Sequence, residues 1–112
     1  MYKRQVPFQK LTMLYVGRTR VTDEGLKELA AIQSLRKLGL QNTEVTDAGL
    51  KHLTKLKGLT KLVLIGTKVT DAGIPYLAAL KELTILNVTD TGITSEGVAM
   101  LRKALPNCQI ER

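Results

Sequence analysis

The chain has 112 residues, of which 44% are hydrophobic and only 4% aromatic, so it is long enough for one folded domain whose core must be aliphatic. Its 17 basic and 10 acidic residues give a net charge of +7, which permits an anionic partner without requiring one. A single cysteine excludes a disulfide framework and a thiolate-rich metal site, and no apolar run approaches the ~18 residues that a membrane helix needs.

A repeat of 24 residues runs through the sequence without a gap. The blocks align column by column, from their first leucine through a threonine at the ninth position to a late leucine. Self-similarity at a fixed period is the signature of repeat architectures, so the chain is interpreted as a stack of near-copies within one domain. The predicted repeats are 11–34, 35–58, 59–82 and 83–106.

Upstream of the first repeat, the register separates two short segments. Phe8 falls in an aliphatic column, so residues 6–10 are predicted to be the tail of a preceding repeat. Gln5 places a polar residue in a leucine column, so residues 1–5 are interpreted as a non-native leader, and the native protein is expected to continue upstream. An N-terminal face without a capping repeat would permit self-association.

Each block is predicted to contain a strand followed by a helix. Residues 38–40 show the period-two pattern of a short strand, with leucines on either side of a glycine. Leu50, Leu53 and Leu56 are spaced by three, which predicts one apolar face on a helix of about three turns. Stacked units would form a parallel sheet on the concave face and place the wider helices on the convex face.

A fixed corner, Val45-Thr46-Asp47-Ala48-Gly49 and its counterparts, joins each strand to its helix. Its threonine is suited to cap the helix, its aspartate suits the positive first turn, and Pro75 is expected to delay the third helix. Threonine hydroxyls at the strand ends are predicted to satisfy loop amides. The capping threonines are Thr22, Thr46, Thr70 and Thr94, and the strand-end threonines are Thr19, Thr43, Thr67 and Thr91.

The pattern restarts after the fourth block, where Ile110 falls in the strand column. Residues 107–112 are therefore predicted to form a terminal strand. Pro106 ends the last helix, and Ala104 stands where the other blocks have a large residue. This ending resembles the natural termination of a repeat array.

The opening Leu35-x-x-Leu38-x-Leu40-x-x-Thr43-x-Val45 resembles the signature of leucine-rich repeats, with threonine where asparagine or cysteine is usual. The VTDAGL corner and the 24-residue length resemble the ribonuclease-inhibitor-like class, including repeats of bacterial proteins and of F-box substrate receptors. The resemblance covers residues 6–112. It implies a right-handed α/β solenoid and, in general, a protein-binding scaffold, although a fold alone does not fix a ligand.

No group of residues predicts catalysis, a metal or a cofactor. His52 is the only histidine and is expected to be a solvated residue on the helix flank. Cys108 has no nearby base and is interpreted as a small buried filler. The corner glycines recur in register, so they do not form a phosphate loop. We therefore expect no enzymatic activity.

The outward residues of the strands vary from block to block, whereas the inward leucines do not. Several are apolar and lie beside two lysines, and an apolar patch with a polar rim is typical of a protein interface. Tyr15 is the most anchor-like of them, although scattered exposed aliphatics also occur without any ligand. The predicted partner-binding residues are Met13, Tyr15, Lys37, Gln41, Lys61, Val63, Ile65, Ile85, Asn87 and Thr89.

These residues predict a non-catalytic scaffold that binds a protein partner through its concave sheet. The alternative is a structural spacer within a larger multidomain protein, and a further one is a substrate-recognition part of a ubiquitin-ligase-like or effector protein. Nucleic-acid binding is not expected, because the helix-side lysines alternate with acidic residues and aromatic residues do not interleave with them. The compartment stays open, with a soluble cytoplasmic protein favoured.

Overall fold

Strands and helices alternate along residues 11–112, the part of the chain that the computed structural model describes. The predictions for residues 1–5 and 6–10 lie outside the described residues. The strands are β1 (Met13–Tyr15), β2 (Lys37–Gly39), β3 (Lys61–Val63), β4 (Ile85–Asn87) and β5 (Gln109–Glu111). The helices are α1 (Asp23–Leu29), α2 (Asp47–Leu53), α3 (Ile74–Ala78) and α4 (Ser95–Ala104).

The five strands form one parallel sheet in the order β1-β2-β3-β4-β5. Leu14 pairs with Leu38, Leu38 with Leu62, Leu62 with Leu86, and Leu86 with Ile110. Each unit is therefore stacked on the next with the same register as the sequence repeat. The predicted α/β solenoid, with a parallel sheet on one side and helices on the other, is confirmed.

The core lies between the sheet and the helices and is built from leucine columns. Leu38 and Leu62 in the strands, and Leu50 and Leu53 in α2, are at most 1% exposed. Each such side chain contributes about 1.5–3 kcal/mol relative to an exposed one. Because a single unit cannot cover both of its apolar faces, this stabilisation depends on the neighbouring units.

The helices are shorter than the predicted three turns: α1 and α2 have 7 residues each. Beyond α2, the amide of Leu56 donates to the carbonyl of Leu53 at 2.9 Å, which is the tighter i to i−3 bond of a 3-10 turn. The leucine spacing of three fits this tighter turn. Only α4 is longer, with 10 residues, and there Leu105 enters the core in place of Ala104.

Pro75 has the predicted effect on the third helix. A 3-10 turn at Asp71–Gly73 precedes α3, which has only 5 residues. Proline has no backbone N–H to donate to a preceding turn, and its fixed φ suits the first helical turn. Regular α-helical bonding therefore begins late in this repeat.

The strand-end threonines share one contact that differs from the predicted one. The hydroxyl of Thr43 donates to the carbonyl of Leu40 at 2.8 Å, and the other three donate in the same way to a carbonyl three residues earlier. The predicted amide bonds are present at Thr19 and Thr91, where the hydroxyl also accepts at 3.3 Å. The column mainly closes the turn of its own repeat.

An aspartate and a threonine join consecutive corners. The carboxylate of Asp23 accepts hydrogen bonds from the amide of Thr46 at 2.7 Å and from its hydroxyl at 2.5 Å. We call these contacts the Asp–Thr rungs. The same two bonds join Asp47 to Thr70 and Asp71 to Thr94. Asp23 and Asp47 lie in the first turn of α1 and α2, as predicted, and Asp71 begins the 3-10 turn before α3. The carboxylate of each aspartate binds the next repeat.

The corner threonines cap their helices in three repeats out of the predicted four. The hydroxyl of Thr46 accepts from the amide of Ala48 at 3.3 Å, and Thr70 and Thr94 cap in a similar way. Thr22 holds the same position but makes no side-chain capping bond, so that prediction is wrong. Within the described residues, no aspartate precedes Thr22 in the register to orient its hydroxyl.

Candidate functional site

The outward side chains of the strands form one continuous surface, which we call the sheet face. Alternate residues of a strand point to the same side, and the in-register parallel pairing aligns them in rows across the sheet. All of the residues predicted to bind a partner lie on this face. The rows are Met13, Lys37, Lys61, Ile85 and Gln109; Tyr15, Gly39, Val63, Asn87 and Glu111; and Gly17, Gln41, Ile65 and Thr89.

The N-terminal end of the sheet face is apolar and accessible. Met13 is 51% exposed and Tyr15 is 49% exposed. The ring of Tyr15 lies over Gly39 of the next strand, so closely that a Cβ added at Gly39 would collide with its Cδ1. Gly39 is therefore buried, and its missing side chain makes room for the ring. Tyr15 is held in place by its neighbour while one side of it faces solvent.

Gln41 packs over Gly17 in the complementary way. Its Oε1 atom is buried and has no hydrogen-bond partner within the described residues. The side chain of Gln41 thus fills the space over Gly17 on the sheet face. Its buried oxygen is not exposed for binding a partner.

The centre of the sheet face combines two lysines with half-buried aliphatic residues. Lys37 and Lys61 are direct neighbours on adjacent strands. Val63, Ile65 and Ile85 are half-buried, so they present less apolar area than the sequence suggests. Among residues 11–112, the salt bridge that forms joins Lys68 to Glu44 at 3.4 Å, away from the sheet face.

The C-terminal end is polar, and its side chains bind one another. The Asn87 amide nitrogen donates to Glu111 Oε1 at 2.9 Å, and its oxygen accepts from the Thr89 hydroxyl at 2.6 Å. Gln109 donates to the second carboxylate oxygen of Glu111 at 3.2 Å. Sequence reasoning missed Gln109 and Glu111. The register of Ile110 could have placed them, because its two neighbours must point outward from the fifth strand.

Residues set aside as non-catalytic lie away from the sheet face. His52 is half-buried on α2, less solvated than predicted. Cys108 is also only half-buried and packs against the core, and its burial raises the pKa of the thiol, which disfavours the reactive thiolate. Met100 on α4 is 59% exposed, a feature that sequence reasoning missed.

Among residues 11–112, no group of three or more histidine, cysteine, aspartate or glutamate residues is arranged to hold a metal ion. No helix in the same range is long and apolar enough to cross a membrane.

The parallel α/β stack and its regular leucine columns define a solenoid of repeats. A family model described as Leucine Rich repeat matches residues 9–30 and 81–101. The two matched segments are leucine-rich repeats, and the fold is that of a leucine-rich repeat solenoid. Such repeats generally serve as scaffolds for protein interactions.

Solved structures are similar in fold at low sequence identity. A leucine-rich repeat protein of Leptospira interrogans matches with 22% identity and a TM-score of 0.55 over 77% of this chain. An internalin of Listeria monocytogenes matches with 19% identity and a TM-score of 0.50 over 76% of this chain. The chain spans only 27% of the Leptospira protein and 30% of the internalin.

A structure of Chaetomium Mex67:Mtr2 subunits matches over more of its own length. The identity is 16% and the TM-score 0.68, with 88% of this chain and 78% of that chain covered. No curated protein matches the sequence. At these identities the structural matches establish the fold alone.

Proposed function

We propose that this chain is a non-catalytic scaffold that binds a protein partner through its sheet face. The observation that carries the proposal is the grouping of two exposed large apolar side chains, Met13 and Tyr15, with two lysines on one continuous surface. Interfaces combine an apolar centre with a polar rim, and tyrosine is enriched among the residues that dominate binding energy.

The rigidity of the sheet face supports this function. Its side chains stand on a parallel ladder in which β2, β3 and β4 are each paired on both sides, and Tyr15 is seated on Gly39. A side chain that is ordered before binding loses less conformational entropy when the partner arrives. The 24-residue register and the VTDAGL corner support membership of the ribonuclease-inhibitor-like class with bacterial-type repeats.

A structural spacer is the second candidate. The mutual hydrogen bonds among Asn87, Thr89, Gln109 and Glu111 favour it, because the polar groups at that end of the sheet face already have partners. A spacer would need no ligand at the N-terminal end either. The two candidates therefore differ in whether Tyr15 and its neighbours bind anything.

The test uses short random peptides displayed on phage and selected on the immobilised full chain. We expect Tyr15→Ala combined with Val63→Lys to abolish binding of the selected peptides. Met100→Lys is the matched control, because Met100 is at least as exposed but lies on a helix. Circular dichroism melts should stay cooperative in all variants. Peptides that bind equally to all of them would support the spacer.

A further inference from the structure

We infer that the sheet face selects partner segments that carry a carboxylate side chain next to an aliphatic one. The carboxylate would lie over Lys37 and Lys61, and the aliphatic side chain over Val63 and Ile65. This inference rests on the proposed function and adds the chemistry of the partner.

The two lysines of the sheet face lie side by side. Lys37 and Lys61 are directly paired on adjacent parallel strands, whose backbones lie about 4.8 Å apart in the hydrogen-bonding direction. Like charges in such a pair are destabilising. An anion placed between them would relieve this repulsion and would interact with both ammonium groups at once.

The described residues do not supply that anion. The salt bridge within residues 11–112 joins Lys68 and Glu44, and neither sheet-face lysine takes part in it. Glu111, the acidic residue on the sheet face, lies two strands beyond Lys61 and accepts hydrogen bonds from Asn87 and Gln109. Residues 1–10 contain no aspartate or glutamate. Residues 1–112 therefore leave this pair without a complementary negative charge, which a partner can supply.

The residues around the lysine pair indicate the class of partner. Lys61 borders Val63 on its own strand and Ile85 on the next, and these aliphatic side chains are half-buried. Tyr15 is the one aromatic residue of the sheet face among the described residues, and its ring is packed on Gly39. Single-stranded nucleic acids bind through basic tracks with aromatic stacking platforms. A lysine pair bordered by aliphatic residues instead suits an acidic peptide segment.

The experiment compares two charge-reversed pairs against the peptides selected on the full chain. The test pair is Lys37→Glu with Lys61→Glu. The control pair is Lys27→Glu with Lys51→Glu, two exposed lysines in matching positions of α1 and α2. Affinity is measured by fluorescence polarisation at about 150 mM salt, where long-range charge effects are largely screened.

We expect the selected peptides to be rich in aspartate or glutamate beside aliphatic residues. The test pair should weaken their binding by about tenfold or more, whereas the control pair should change it by less than about twofold. Lysine in place of the peptide's acidic residue should restore binding to the test pair. The milder Lys37→Ala with Lys61→Ala should weaken binding in the same direction, which covers the case in which charge reversal disturbs the fold.

Four results would overturn the inference. Peptides whose binding depends on Tyr15 and Val63 but that are not enriched in acidic residues would support the proposed function and contradict the inference of an acidic partner. Peptides whose binding does not depend on the sheet face at all would contradict both the proposed function and this inference. Competition by a short single-stranded DNA would identify a nucleic acid as the occupant. A dimer of the free chain that dissociates in the test pair would identify a second copy instead.

Discussion

The corners and the sheet face of this solenoid use stacked polar residues in opposite ways. At the corners, the carboxylate of one repeat accepts two hydrogen bonds from a threonine of the next, as between Asp23 and Thr46. On the sheet face, Lys37 stacks on Lys61 with no acidic residue of the described chain beside the pair. Polar columns that bind each other stabilise the stack, whereas a like-charged column marks a surface that an external group can complement.

The largest loss of stability is expected from substitutions in the leucine column, which lies between the corners and the sheet face. Leu62 is fully buried in the central strand, so Leu62→Ala should lower the free energy of unfolding by about 2–5 kcal/mol. Leu14→Ala, at the partly exposed edge strand, should cost clearly less. Urea denaturation followed by circular dichroism measures both. Equal losses would contradict stacking as the source of stability.

The next largest effect on stability is expected from alanine substitutions at the corner glycines. Alanine should destabilise the protein at one of these glycines and stabilise it at another. A Cβ at Gly49 would collide with the carboxylate of Asp23 and lie 3.1 Å from Cδ2 of Leu26. Gly49→Ala should therefore cost about 1–3 kcal/mol by forcing the Asp–Thr rung apart. At Gly25 the nearest atom would be Cγ1 of Val21 at an ordinary 3.5 Å.

Gly25→Ala is the matched control, because Gly25 holds the same helical position in a corner that lacks a rung from the described residues. Alanine there should stabilise the protein by up to about 1 kcal/mol through its higher helix propensity. Thermal melts of the two variants should move in opposite directions. A loss of similar size in both would show that the rung is not the reason for the glycine.

The rung between Asp71 and Thr94 also predicts a pH dependence. The side-chain hydrogen bond from Thr94, followed by the backbone bond from its amide, lowers the pKa of Asp71 below its ordinary value of 3.8. The unfolded state therefore binds this proton more readily than the folded state. The stabilisation is present above 3.8 and is lost as the pH falls through the lower pKa of the folded protein.

Asp71→Asn should remove this part of the acid sensitivity. The difference in urea midpoint between the parent chain and the variant is expected to shrink as the pH drops below 3.8. Asp90→Asn serves as the control, because Asp90 is exposed and takes no part in a rung. A difference that stays constant with pH would contradict the stabilising role of the charged rung.

The 24-residue period made the fold and its leucine columns predictable. It did not make the polar side-chain contacts between repeats predictable. Leu38 and Leu62 could be placed in one column because the spacing that aligns them in sequence also aligns them in the sheet. Asp23 could be placed in the first helical turn, but nothing in its own repeat shows that its carboxylate reaches Thr46. The recurring corner glycine was the available signal, since it makes room for that carboxylate.

The sequence predicted which positions form the sheet face, but it predicted less well how exposed their side chains are and what they contact. Alternation placed Tyr15, Lys37 and Val63 on one side of the sheet, and the structure places them there. The exposed fraction of each of these side chains depends on its neighbours on the adjacent strands. The alternation of residues along the sequence does not show how much of a side chain those neighbours cover. This is why the seat of Tyr15 on Gly39 and the polar network around Glu111 became visible only in three dimensions.

The most direct measurement of the central claim is the single substitution Lys37→Glu. It replaces a repulsive pair with an attractive one, so the free energy of unfolding should stay the same or rise by about 0.2–1 kcal/mol. Binding of the selected acidic peptides should fall by about tenfold in the same variant. Unchanged peptide affinity, or a lowered stability, would contradict the view that this lysine pair serves a partner and not the fold.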